Sequence, residues 1–139
     1  VVKGKPKIAV VGFTTDNDVF GGFYSVAVTE QLKDFFDPNM FAFSFESHGW
    51  CETPRRFNVK KRALKKKKAC VSLWRGCRSG FVYFGAQSDR GLWLSNERSN
   101  SGCCNLSNAF EGIQNPTLTG RWGDSPYHHC TRLVAIRLL

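Results

Sequence analysis

At 139 residues, with 42% hydrophobic side chains, twelve Phe, four Trp and three Tyr, the chain reads as one domain able to bury about two thirds of its unfolded surface. No apolar run approaches the roughly 20 residues of a membrane span, and no stretch reads as a signal peptide, because the apolar run of residues 8–13 is short and broken by Gly12. The formal charge of +9 belongs to one segment: eleven basic and no acidic residues lie between Arg55 and Arg78, leaving nine basic and eleven acidic residues elsewhere.

In chain order, a strand is predicted over residues 7–13, followed by a turn at Thr15-Asp16-Asn17-Asp18. Residues 18–28 are the most distinctive segment: a second strand over residues 21–28 opens on Gly21-Gly22, where the backbone needs positive φ or a close neighbour. This segment offers Asp18 as its one charged side chain, which points to a binding scaffold rather than an enzyme. A helix is predicted over residues 29–36, ended by Asp37-Pro38. Further strands are predicted over residues 40–46, 56–59, 69–74, 81–84, 92–94 and 132–138, with turns at Asp37-Pro38-Asn39, Ser79-Gly80 and residues 88–91. Residues 96–129 are polar and turn-rich, and read as a packed excursion pinned by Phe110, Ile113, Leu118, Trp122 and Tyr127. Eight short strands without long amphipathic stretches between them predict an antiparallel sandwich or barrel, mainly β, rather than βαβ units. The chain begins at Val1 rather than Met, and it reads as an excised domain or a truncated product.

Arg55, Arg56, Lys60, Lys61, Arg62, Lys65, Lys66, Lys67 and Lys68 form the candidate partner-binding patch, with Arg75 and Arg78 beyond it. Three readings stay open: a solvated edge whose lysines deter strand pairing, a surface for an acidic protein or lipid, and a nucleic-acid site. Nucleic acid ranks last, because Phe57 and Trp74 flank the block instead of punctuating it.

Six cysteines, Cys51, Cys70, Cys77, Cys103, Cys104 and Cys130, read as reduced thiols of a cytoplasmic or nuclear protein rather than as disulfides. With His48, His128 and His129 they lack the close Cys-x-x-Cys pairs of zinc sites, so no metal is expected. The carboxylates Glu46, Glu52, Glu97 and Glu111 carry no spacing that marks an acid/base pair. There is no Gly-x-Ser-x-Gly elbow and no phosphate loop, so no catalytic residue and no cofactor is assigned.

Four segments, taken in order, resemble a known family. They are Asp18-Val19-Phe20-Gly21-Gly22-Phe23-Tyr24, Asp37 to Phe45 with its Phe43-Ser44-Phe45, Phe81-Val82-Tyr83-Phe84-Gly85, and Leu133-Val134-Ala135-Ile136. Their order and spacing resemble the TLDc domain of the oxidation-resistance protein family, in the divergent form found in amoebae, over nearly the whole chain. The resemblance implies a two-sheet antiparallel β-sandwich with a few peripheral helices, and structural roles for Phe20, Gly21, Gly22, Phe43, Phe84 and Gly85. It also implies a non-enzymatic intracellular regulator, tied to oxidative-stress resistance and to binding of the vacuolar proton pump. The family's largely helical opening segment is absent here, and Ala135 stands where its last strand usually carries an acid.

Overall fold

The computed structural model describes residues 2–47, 51–74, 81–86, 89–95, 101–103, 106–113, 118 and 127–139. Along the chain run β1 (Ile8–Thr14), β2 (Val19–Tyr24), β3 (Phe35–Phe36), β4 (Phe41–Glu46), β5 (Arg55–Asn58) and α1 (Lys61–Lys65). Then come β6 (Ala69–Trp74), β7 (Phe81–Ala86), β8 (Asp89–Ser95), β9 (Ser101–Cys103), α2 (Leu106–Ala109), β10 (Tyr127–His128) and β11 (Cys130–Arg137). One sheet has five strands in the order β11-β1-β2-β4-β5, and the other has six in the order β10-β9-β8-β7-β6-β3. Every ladder is antiparallel. The expected two-sheet β-sandwich is therefore the observed architecture, and neither sheet closes into a barrel.

Period-two alternation decides which side chains face the core. From the five-stranded sheet Ile8, Val10, Phe20, Tyr24, Ala42 and Phe57 turn inward. They meet Val71, Leu73, Val82, Phe84, Leu92 and Leu94 of the six-stranded sheet. The Tyr24 and Phe84 rings lie 6.2 Å apart between centroids, bridging the layers. The β1–β2 turn is closed by Asn17 at φ 64, a left-handed conformation that Asn tolerates, while Asp18 N–H donates to the Thr14 hydroxyl.

The double glycine is explained by close approach on both faces of its sheet. A Cβ on Gly22 would sit 2.8 Å from three atoms of the Phe84 ring, across the sandwich. A Cβ on Gly21 would sit 2.8 Å from the Phe43 ring and closer still to the Val10 carbonyl. Gly21 and Phe43 are cross-strand partners, so the ring lies over the glycine on the outer face. Gly85 belongs to the irregular stretch where the β7–β8 register shifts, between Phe84 and Ala86. The six motif residues are thus brought together in two layers: Phe20 is fully buried beside Gly21-Gly22, with Phe43 outside and Phe84-Gly85 across the core.

Three expectations are corrected. Residues 29–36 are not helical: Leu32 N–H donates to the Leu73 carbonyl, and Phe35 and Phe36 pair with Val71 and Cys70 along the edge of β6. Tertiary strand pairing overrides the local periodicity there. The second strand runs from Val19 to Tyr24, not to residue 28, because Ser25 leaves the ladder. Its N–H and hydroxyl both donate to the buried Asp37 carboxylate, which also accepts from Asn39 N–H. The polar excursion carries regular structure after all, in β9, α2 and β10. Phe110, Ile113 and Leu118 are buried as expected, while Trp122 lies outside the described residues.

Candidate functional site

The basic patch occupies the crossover between the sheets. Arg55 and Arg56 are exposed on β5, the edge strand of the five-stranded sheet, and residues 59–68 lead through α1 to β6 of the other sheet. Lys61, Arg62, Lys65, Lys66 and Lys67 are exposed, with Lys60 and Lys68 half-buried. The expected solvated edge is real for β5, whereas the lysine block itself forms a short helix and its cap. Phe57, the flanking aromatic, is buried in the core and presents no ring to a ligand. Arg75 and Arg78 lie outside the described residues.

Helix α1 forms against its own local rules. Ala63 and Leu64 pack against the core, and that contact holds the turn in place. Lys60 at the N-cap supplies no capping side chain, and no acid stands in the first turn. Instead Lys61 places positive charge at the positive end of the helix dipole, while Arg62 and Lys65 stand in the last turn, where a cation is favourable. At the other end Lys67 N–H donates to the Leu64 carbonyl and Lys68 N–H to the Ala63 carbonyl. This paired closure normally uses glycine, yet Lys67 adopts φ 50 to make it. Charge is retained at positions where helix stability asks for other residues.

Beside the patch lies an aromatic face. In β4 Ala42 and Ser44 turn to the core, while Phe41, Phe43 and Phe45 share the outer face. Phe23 stacks on Phe41 with centroids 4.8 Å apart, and Phe43 contacts Phe41 and Phe45 at 6.3 and 5.1 Å. Two arginines lie over rings at opposite margins, Arg56 3.8 Å from the Phe41 centroid and Arg132 4.4 Å from that of Phe13. The signal was the Phe-Ala-Phe-Ser-Phe alternation itself, which puts small residues on the other side.

Near Arg132 an open cleft of about 460 Å³ is lined by Phe13, Asn17, Asp18, Val19, Glu46 and Thr131. Among the described residues no three His, Cys, Asp or Glu side chains gather to hold a metal. Glu46, Glu52 and Glu111 are exposed and Glu97 lies outside the described residues. Cys51, Cys70 and Cys130 are buried. Burial, helped by the Asp34 carboxylate, pushes the Cys70 thiol up to about 11, so it stays protonated and unreactive near neutrality. Ala135 is exposed on β11 opposite Val10.

Fold and surface together define a two-sheet antiparallel sandwich with a basic crossover at one edge and an aromatic outer face. No family model matches the chain, and no curated protein matches it.

Proposed function

We propose that the chain is a non-enzymatic interaction module of the TLDc kind, acting in oxidative-stress resistance through an acidic protein partner. The resemblance in its four motif segments makes the vacuolar proton pump the partner to test. The observation that carries the reading is the basic crossover, in which nine Lys and Arg residues stand between Arg55 and Lys68 without an acid among them. A surface that keeps positive charge at the wrong end of a helix, and a lysine in a left-handed cap, holds it for a ligand of opposite sign.

The test is co-sedimentation of the purified chain with the purified soluble sector of the vacuolar proton pump, for wild type and for Lys65, Lys66, Lys67 and Lys68 replaced together by Ala. Binding that falls at least tenfold in the fourfold variant is the expected result. Wild-type protein that leaves the pump sector untouched overturns the pump assignment. The same block supports polyanion or nucleic-acid binding as a second reading. A labelled single-stranded oligonucleotide decides it: phosphate contacts weaken steeply with salt and vanish in the fourfold variant.

A further inference from the structure

We propose that the outer face of the five-stranded sheet docks an amphipathic helix from a protein partner, with an apolar stripe and a carboxylate near each end. This deepens the reading of the chain as an interaction module and rests on it. The face is apolar where an antiparallel sheet normally turns polar side chains to water. Phe23 and Phe41 are half-buried at its centre, Phe43 beside them is buried, and Phe45 and Ile136 are 48% and 46% exposed. Apolar faces with exposed margins of this kind, edged by polar groups, are a usual form of protein docking surface.

Charge complementarity fixes the chemistry of the occupant. Arg56 lies on β5 and Arg132 on β11, the two edge strands, so the apolar row runs between two guanidinium groups. Among the described residues neither arginine is in a salt bridge, the single ion pair there being Lys33 with Glu30. Each guanidinium carbon lies over a ring, and the Arg56 Nε–H donates to Asn58 Oδ1, which leaves its terminal N–H groups for a carboxylate. Arg56 stands in the row of Phe43, Gly21, Val11 and Val134, and Arg132 pairs with Phe13 two residues along.

Four strand spacings of about 4.8 Å and two residues of about 3.4 Å separate the arginines by about 20 Å. An α-helix covers that distance in about 14 residues, which sets the length between the two acids. The cleft at Arg132, lined by Phe13 and Val19 together with Asp18 and Glu46, supplies a recess for one bulky side chain at that end. Single-stranded nucleic acid fits the face less well. Bases need open ring faces, whereas Phe41 is already covered by Arg56 and Phe23, and Phe13 by Arg132.

The test is selection of a displayed library of 18-residue peptides on the wild-type chain, followed by affinities of the recovered peptides for Arg56→Glu, Phe45→Asp and the fourfold Lys65–Lys68 alanine variant. Both single changes lie on exposed side chains, and thermal melts confirm folding. The expected peptides carry apolar residues at helical spacing between two acidic ends. They lose at least tenfold affinity on each single change and stay within twofold on the lysine variant. No enriched peptide, or peptides indifferent to Arg56→Glu and Phe45→Asp, overturns the proposal, as does an oligonucleotide or a second copy of the chain that claims the face. Peptides that dock while the pump sector does not bind would instead leave this face standing and remove the pump as partner.

Discussion

Gly22→Ala puts the sandwich under direct load. The new methyl would lie 2.8 Å from three ring atoms of Phe84, where carbon pairs settle at about 3.5–4.0 Å. Phe84 is fully buried beside Tyr24, and close-packed interiors yield little, so the sheets must part by several tenths of an ångström. Overpacking of this kind costs about 3 kcal/mol, offset by about 0.4–1 kcal/mol from the stiffer unfolded chain. The net loss of about 2 kcal/mol corresponds to a fall in Tm of about 8 °C at this chain length. Urea and thermal unfolding of Gly22→Ala, Phe84→Leu and the double variant check the cause as well as the size. Phe84→Leu alone leaves a gap worth about 1–2 kcal/mol, yet it makes room for the methyl. The double variant is therefore expected to be at least about 1 kcal/mol more stable than additivity allows. Strict additivity, or a Gly22→Ala protein within about 0.5 kcal/mol of wild type, would refute the account of the double glycine.

Two further outcomes follow from buried and strained groups. Tyr24 is fully buried and its hydroxyl finds no hydrogen-bond partner among the described residues, so Tyr24→Phe is expected to leave stability at pH 7 unchanged or raise it by about 1 kcal/mol. Burial lifts the Tyr24 hydroxyl from 10.0 to about 12, so above pH 10 the unfolded chain sheds a proton that the folded chain keeps. Stability at stake in that proton is complete below pH 10 and is lost as pH rises toward 12, by up to about 2–3 kcal/mol. Tyr24→Phe should remove that part of the alkaline loss in urea titrations at pH 9 to 12, and an unchanged alkaline profile would contradict the burial argument. Lys67→Gly is expected to raise stability by about 0.5–1 kcal/mol, since glycine takes the left-handed cap without strain. A destabilised Lys67→Gly protein in thermal melts would mean that the lysine side chain, not the backbone, sustains the cap.

Much of the fold is legible where period-two patterning and turn chemistry agree. Residues 69–74 form β6 within the predicted bounds because an apolar run stands between a lysine block and a glycine-containing sequence with turn residues. Residues 29–36 misled because Leu32, Phe35 and Phe36 fall at helical spacing, while the hydrogen bonds that fix them come from β6, which is distant in sequence. Helix α1 was illegible for the opposite reason. None of its flanking residues signals a helix, and only the packing of Ala63 and Leu64 makes one. At the site, the basic block was visible in the composition alone. The aromatic face is not marked by composition, because phenylalanine suits a core equally well; only the Ala42 and Ser44 alternation shows which side of β4 faces inward.

The pairing of β1 with β11, from Ile8 opposite Arg137 to Thr14 opposite Cys130, has a consequence for biosynthesis. The ladder joins β1 to β11, more than a hundred residues later in the chain, so a ribosome must pass β11 before that ladder can zip. Until then β1 presents an unpaired edge beside the rows of Phe13, Phe23 and Phe41, a surface well suited to unwanted strand pairing. Folding limited by so distant a closure is slow. Loss of β11 would leave that edge of β1 permanently unpaired.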